Sequence, residues 1–326
     1  MLIDRNGFGI GTVSGGCLEA DVLERAKKVL QTGDPVVITY DTTKDEDSVF
    51  GLGMGCRGIV RILLEEVSNE NVFFELLKTA MDERKSLTMA TLISSNAEDQ
   101  RIGSRFFRQD SKIIINAVNP HIPDELQSKL HRFAADSAGT VETFEFGEVF
   151  FETIRPPLNL LLFGAGYDAL PLVKFAKELG WRITVVDHRP AYTTSRRLPE
   201  ADEILTKNVQ DLDDAFFQDE NSVAVVMTHN YDRDREILPR LLRSKCLYVG
   251  ALGPKKRSEK ILAETNETFS AEQLEKLHAP VGLDIGADTP EAIALSIVAE
   301  VQAVLKNREG GFLRRRQGSI YGRSEQ

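Results

Sequence analysis

Cys17 and Cys56, two of the three cysteines in this 326-residue chain, lie in glycine-rich runs: Ser14-Gly15-Gly16-Cys17 and Gly51-Leu52-Gly53-Met54-Gly55-Cys56-Arg57-Gly58. A cysteine used for packing ordinarily sits in an apolar strand or helix. Here the neighbours bring no side chains, so backbone N–H groups are open to a ligand and the thiols have room around them. Thiolates are soft ligands and good nucleophiles. The pattern therefore points to a site for an anionic or metal-bearing group, with Cys17 and Cys56 as its reactive residues and Ser14, Gly15 and Gly16 as the loop around it. Cys17 also falls at the start of a predicted helix, a position that favours thiolates, and Arg57 gives Cys56 similar help. For either residue the competing account is a small side chain packed in a tight turn. Cys246 enters an apolar strand and reads as packing.

A second constellation lies in the other half. Gly164-Ala165-Gly166-Tyr167-Asp168-Ala169 follows the apolar run Leu158–Phe163 and opens a helix, with the spacing G-x-G-x-x-A. The first glycine permits a tight turn, the second lets a phosphate approach the backbone, and the small Ala169 allows close helix–strand packing. The helix start adds N–H donors for an anion. Asp187 closes the next strand, where such a fingerprint places an acid for a ribose diol; bonding to a different polar ligand is the alternative. His229, at the end of a further strand, is a candidate ligand contact or proton carrier, or else a loop organiser bonded to Asp232 or Asp234. Asp284 in the Gly282–Gly286 loop orients a ligand or stabilises its own turn. Lys255-Lys256-Arg257 is an anion clamp or a solvated helix face. His188 has no settled role, and His121, His131 and His278 read as surface.

The elements that must position these residues fall into two halves. Up to about Val67 the chain carries 10 of its 24 glycines. It reads as strands (Val36–Tyr40, Ile59–Leu64) around one helix, Leu18–Leu30, stopped at Gly33. In the middle, Val72–Arg84 reads as helix and Ser86–Ser94, Lys112–Val118 and Glu142–Ile154 as strands. After Arg155-Pro156-Pro157, short apolar strands (Leu158–Phe163, Arg182–Asp187, Ser222–Thr228, Leu247–Ala251) alternate with helical patterns at Leu170–Leu179 and Arg235–Arg243. A final helix is capped by Thr289-Pro290. The fold class is α/β: a C-terminal Rossmann-like, doubly wound parallel sheet plus a smaller glycine-rich N-terminal α+β domain. The expected boundaries are 1–155 for the N-terminal domain with the middle segment, 156–306 for the Rossmann-like domain, and 307–326 for a basic tail with Arg314-Arg315-Arg316.

Composition narrows the classes. A net charge of −10 and a pI near 5.2 argue against nucleic acid as a partner. Three cysteines make no disulfide framework and fit a cytoplasmic, reducing compartment. No apolar run approaches the roughly 18 residues of a membrane span, and no secretory signal is visible.

With both halves read, the chain resembles the XdhC/CoxI family, the xanthine dehydrogenase accessory and molybdenum-cofactor maturation proteins. The resemblance rests on Gly11-Thr12-Val13-Ser14-Gly15-Gly16-Cys17-Leu18-Glu19, on Gly51–Cys56, and on Phe163–Gly166 with Val185–Arg189. It continues through Thr228–Asp232, Tyr248–Gly253, Gly282–Ala287 and Thr289-Pro290-Glu291. It covers the chain nearly end to end, apart from the middle segment.

The resemblance implies a protein that binds molybdenum cofactor (molybdopterin), assists its sulfuration and passes it to an apo xanthine dehydrogenase-type hydroxylase. It also implies a cysteine desulfurase as partner and Cys17 as a molybdenum contact; a homodimer is expected besides. Such a chain is a maturation factor rather than a hydroxylase, whose iron–sulfur clusters three cysteines cannot supply. Cofactor-binding residues would be Ser14, Gly15, Gly16, Gly164, Ala165, Gly166, Tyr167, Asp187, His229 and Asp284. If one ligand touches both halves, Cys17 and Cys56 lie together and face Gly164–Gly166. There are departures: family members commonly carry His where Tyr167 and Tyr231 stand, and usually have a further strand ahead of Met1-Leu2-Ile3, whose lack would leave a sheet edge open. Two rival readings stand: an NAD(P)-dependent oxidoreductase, supported by the glycine turn with Asp187, and a scaffold that docks a sulfurtransferase and a target enzyme.

Overall fold

Leu18, Val22, Ala26 and Val29 recur at helical spacing and are all buried, so this stretch winds into α1 (Glu19–Thr32). It stops at Gly33, whose φ of 71° suits a residue without a Cβ. The computed structural model describes residues 1–41, 58–67, 72–97, 101–110, 112–115, 122–134, 139–265 and 267–317. The chain divides into two compact units, Met1–Pro156 and Pro157–Gln326.

In the first unit, β1 (Leu2–Ile3) and β2 (Gly9–Ile10) pair antiparallel ahead of α1. After it, β3 (Val36–Asp41) and β4 (Ile59–Leu64) form a second antiparallel pair. Leu18 and Val22 of the α1 segment pack with Ile38 and Tyr40 of β3 in one small core. The Tyr40 hydroxyl donates to Asp21 at 2.6 Å and ties helix to hairpin.

The rest of the unit comprises α2 (Val72–Asp82), β5 (Leu87–Ser95), β6 (Arg105–Gln109), β7 (Lys112–Ile115), α3 (Asp124–Arg132), β8 (Thr140–Phe144) and β9 (Gly147–Ile154). Its strands make a five-stranded antiparallel sheet in the order β7-β6-β5-β9-β8. Leu126 and Leu130 of α3 cover one face, on Phe106, Val149 and Phe151. Ala80 of α2 covers the other, on Leu87, Met89 and Phe107. Glu142–Ile154, expected as a single strand, is a hairpin that turns at Glu145-Phe146. Gly147 starts its second arm at φ 145°, and a Cβ there would lie 2.0 Å from the Ser94 carbonyl oxygen.

The second unit is the predicted parallel sheet. It contains β10 (Asn159–Phe163), α4 (Ala169–Glu178), β11 (Arg182–Asp187), β12 (Glu203–Thr206), β13 (Ser222–Val226), α5 (Tyr231–Arg243), β14 (Tyr248–Ala251), α6 (Lys255–Glu264), α7 (Ala271–Glu275), β15 (Leu277–His278) and α8 (Pro290–Leu305). All pairings are parallel, in the order β12-β11-β10-β13-β14-β15. Counted within the unit this is 3-2-1-4-5-6, the Rossmann order.

Strand residues alternate between two cores. Leu160, Leu162, Val185 and Val225 pack under α4 and α8. Leu161, Phe163, Val186 and Val226 pack under α5 and α6. Each fully buried Leu, Ile, Val or Phe contributes about 1.5–3 kcal/mol, so the sheet is a rigid base for what stands at its end. Phe163 of β10 pairs with Val226 of β13 across the point where strand order reverses. The next residues, Gly164 and Met227-Thr228-His229, are therefore set side by side at the carboxyl edge, where doubly wound sheets bind ligands. Among the described residues, no helix is long and apolar enough to cross a membrane.

Candidate functional site

Cys17 is exposed, one residue ahead of Leu18, the residue that caps α1. Leu18 is only 4% exposed. Burial of the Leu18 side chain anchors the loop and leaves its neighbour facing solvent. The loop is then closed by Glu19. Its carboxylate accepts the Ser14 hydroxyl at 2.5 Å, the Ser14 amide at 2.8 Å, and the Val13 and Leu18 amides at 3.2 Å each. The Ser14 hydroxyl, with backbone donors reinforcing it against desolvation, holds the Glu19 carboxyl at about 2. Several N–H groups that the sequence suggested for a ligand are thus already taken. The amides of Gly15 and Cys17 have no partner among the described residues. A Cβ at Gly15 or Gly16 would meet nothing within 4 Å, so that side of the loop is open. Cys56 and the rest of its run up to Arg57 lie outside the described residues. Cys246 is buried, 3.3 Å from the Ser222 hydroxyl, with its thiol pKa pushed up by burial, as packing requires.

In the second unit Gly164 has φ 111°, and a Cβ there would stand 2.4 Å from the Met227 carbonyl oxygen. Its amide donates to the Val186 carbonyl at 2.9 Å. Ala165 is buried, and its amide donates to Asp187 at 2.9 Å. Asp187 also accepts the Arg189 amide and Nε at 2.9 Å and its Nη2 at 2.6 Å. Burial pushes the Asp187 carboxyl up, but these donors outweigh it and hold the group at about 2. Both carboxylate oxygens are therefore engaged, Oδ2 by the Ala165 amide of the glycine turn and by Arg189, Oδ1 by Arg189, where the fingerprint leads one to expect a carboxylate open to a ribose.

Tyr167 projects from the turn, 73% exposed. The Arg197 guanidinium lies over its ring at 4.8 Å and over Tyr192 at 4.9 Å, and Arg189 covers Tyr192 at 4.0 Å.

His229 has φ 55° and places Nε2 2.6 Å from the Asp168 carboxylate, two residues beyond Gly166. Its partner is thus in the glycine turn, not Asp232 or Asp234. Asp234 is buried and instead accepts the Thr228 hydroxyl and two N–H groups of Arg257, at 3.0 and 2.6 Å. That fixes Arg257 as a strut between α5 and α6, neither a solvated residue nor a free clamp. Gly164–Gly166, Asp168, Asp187 and His229 are accordingly brought together at one sheet end.

Asp284 is exposed and has no partner among the described residues. His278, expected at the surface, stacks on Tyr248 at 4.3 Å between centroids, with Nδ1 3.6 Å from Glu300. The buried Tyr248 ring gives it an apolar face to cover. A solvent pocket beside the turn, at the ends of β11, β12 and β13, is bordered by His188, Arg189, Lys207, Thr228, Arg233 and Glu236. Sequence reasoning passed over Lys207 and Arg233; both follow strands that end at this edge, and that position is the signal that could have found them. No group of three His, Cys, Asp or Glu side chains suited to a metal ion occurs among the described residues.

A Rossmann unit with a glycine turn and an α+β unit with an exposed thiol before a helix define a two-part α/β protein. The sequence profile of the XdhC Rossmann domain matches residues 160–301, and that of the XdhC and CoxI family matches residues 1–41. A probable xanthine dehydrogenase subunit of Bacillus subtilis (strain 168) is 31% identical over 308 residues, 92% of this chain and 86% of the relative. The chain belongs to the XdhC and CoxI family. The molybdenum cofactor insertion chaperone PaoD of Escherichia coli (strain K12) is 21% identical over 310 residues, 95% of this chain and 78% of the relative. The crystal structure of a xanthine dehydrogenase from Bacillus halodurans has a TM-score of 0.76 at 31% identity, covering 94% of this chain and 86% of that one.

Proposed function

We propose that this chain is an accessory protein that binds molybdenum cofactor, assists its sulfuration and hands it to an apo xanthine dehydrogenase-type hydroxylase, with a cysteine desulfurase as sulfur source. Membership of the family carries this reading, supported by similarity along 95% of the chain to a protein named as a molybdenum cofactor insertion chaperone. The cofactor is cargo here, and the chain is a carrier rather than a hydroxylase. The chemistry of the first loop suits that cargo: Cys17 offers an exposed soft donor, and Gly15 and Gly16 leave open space beside it. Cys17 and Cys56 would hold the metal or its sulfur, and Ser14 would shape the loop through Glu19. Gly164, Ala165, Gly166, Tyr167, His229 and Asp284 would hold the phosphate or nucleotide end, while Asp187 keeps the turn in shape.

The test is the molybdenum and pterin content of protein purified from a cofactor-making host, wild type against Cys17→Ala. Both components should co-purify with wild type and fall in the variant. Metal-free protein that also fails to bind added cofactor overturns the proposal.

The second reading, an NAD(P)-dependent oxidoreductase, is favoured by the strand order and glycine turn of the second unit. Fluorescence titration with NADH separates the two: tight binding supports it, and none removes it.

A further inference from the structure

Among the described residues, two cations at the edge of the Rossmann sheet have no carboxylate partner. Lys207 follows β12 and is exposed, and Arg233 stands in the first turn of α5. Both border the pocket with His188, Arg189 and Thr228. Arg233 donates to Asn208 at 3.1 Å, a neutral partner. Neither Lys207 nor Arg233 has a carboxylate partner among the described residues, although acids outnumber bases, 50 Asp and Glu against 40 Lys and Arg, across the chain.

The acids at the pocket do not offset them. Asp187 is matched by the two-pronged Arg189, and Glu236 alone remains against two cations. Arg233 also stands where its own helix disfavours it, since the positive end of the helix dipole repels a first-turn cation. Burial first, and then the Arg233 charge, push the His188 imidazole below its ordinary pKa, with Asp187 opposing them, so the ring is neutral beside these cations.

Because both Asp187 oxygens are engaged, the site is poorly suited to a bare ribose diol. A cation near this strand end is what accommodates a phosphate in place of the diol hydroxyl; Arg189 is taken by Asp187, which leaves Lys207, just past the neighbouring β12, and Arg233, in the first turn of α5, to do so.

We propose that this pocket binds a phosphate monoester, with Lys207 and Arg233 as its charged donors and the His188 imidazole as a neutral one. The proposal concerns the second unit, and it extends the reading of the glycine turn as a ligand cradle. The group could be carried by a nucleotide or by the phosphate tail of a pterin, and the experiment separates these sources.

Calorimetric titration of the full chain would use two matched pairs: adenosine 2′-monophosphate against adenosine, and molybdopterin against the same compound treated with phosphatase. Whichever source is correct, its phosphorylated member should bind at least about tenfold more tightly. Lys207→Ala and Arg233→Ala should each remove most of that preference while leaving the weaker member unchanged. Arg233→Lys should restore part of it. Unchanged thermal midpoints would show that the variants fold. Equal binding within both pairs overturns the proposal, as does a preference that survives both alanine variants. Protein that carries molybdenum and pterin yet shows no phosphate preference would sink the pocket alone. Phosphate selectivity without any pterin binding would sink the cofactor reading alone.

Discussion

The Asp187 carboxylate accepts the Ala165 amide at 2.9 Å while gripping the Arg189 guanidinium through two further bonds. One acid therefore fixes both the turn after β10 and the chain leaving β11. With its side chain 3% exposed and its carboxyl held at about 2, the folded state favours the ionised form. The sign follows from linkage: a depressed carboxylate pKa stabilises above its unfolded value of 3.8 and loses that contribution as pH falls toward 2. The contribution at neutral pH is roughly 2 kcal/mol. Asp187→Asn should cost about that much in urea unfolding at pH 7. The gap to wild type should narrow as pH drops below about 4.

Gly164 and Gly15 should respond oppositely to the same methyl group. At Gly164, alanine would meet the Met227 carbonyl at 2.4 Å in a left-handed conformation. The expected loss is roughly 2–4 kcal/mol. At Gly15, with nothing within 4 Å, alanine should shift stability by no more than about 0.5 kcal/mol. Thermal unfolding checks both. Gly15 is then the place to add bulk and block a ligand without unfolding the unit.

The Rossmann half was legible because parallel strands buried on both faces are written as unbroken apolar runs. Arg182–Asp187 and the Thr289-Pro290 cap stand where expected. The hairpin at Glu145-Phe146 was hidden, since neither residue is a turn former and the glycine comes only after them. β15, two residues long, has no periodicity to read. At the site, the glycine turn was legible and its partners were not. His229 reaches Asp168 across 61 residues of sequence, and nothing local marks that pairing. Asp187 matched a fingerprint acid in position, but its engagement depends on Arg189 folding back over two residues, which spacing does not encode.

Glu300 of α8 accepts the Tyr248 hydroxyl and, at 2.9 Å, the Gly282 amide, so one carboxylate ties β14 and the Gly282 loop to the last helix. Burial raises its pKa, but the neighbouring His278 and the bonds from Tyr248 and Gly282 prevail and lower it. Its stabilising share is therefore present above the ordinary carboxylate range and lost as pH falls through the depressed value. Glu300→Ala orphans a fully buried phenol and should cost about 1–3 kcal/mol. Adding Tyr248→Phe should recover part of that loss, a coupling that a double-mutant cycle in urea measures.

The two described thiols should differ sharply in reactivity. Cys17 is exposed on a loop whose far side is open, while Cys246 is buried with its thiol pKa raised. Alkylation with iodoacetamide at pH 7.5, read by peptide mass spectrometry, should modify Cys17 within minutes and Cys246 only after denaturation. The Glu19 carboxylate holds the Cys17 loop in one conformation through Ser14, Val13 and Leu18. Glu19→Ala should therefore quicken Cys17 labelling and speed amide exchange across residues 13–18, with Cys246 unchanged. Comparable labelling of Cys17 and Cys246 in the native protein would contradict the loop geometry. An unaltered Cys17 rate in Glu19→Ala would show that the conformation held by the carboxylate does not set the reactivity of the thiol. If Cys17 holds the cofactor, bound molybdopterin should protect it from alkylation and leave the Cys246 pattern as it was, which separates occupancy of this loop from a general tightening of the fold.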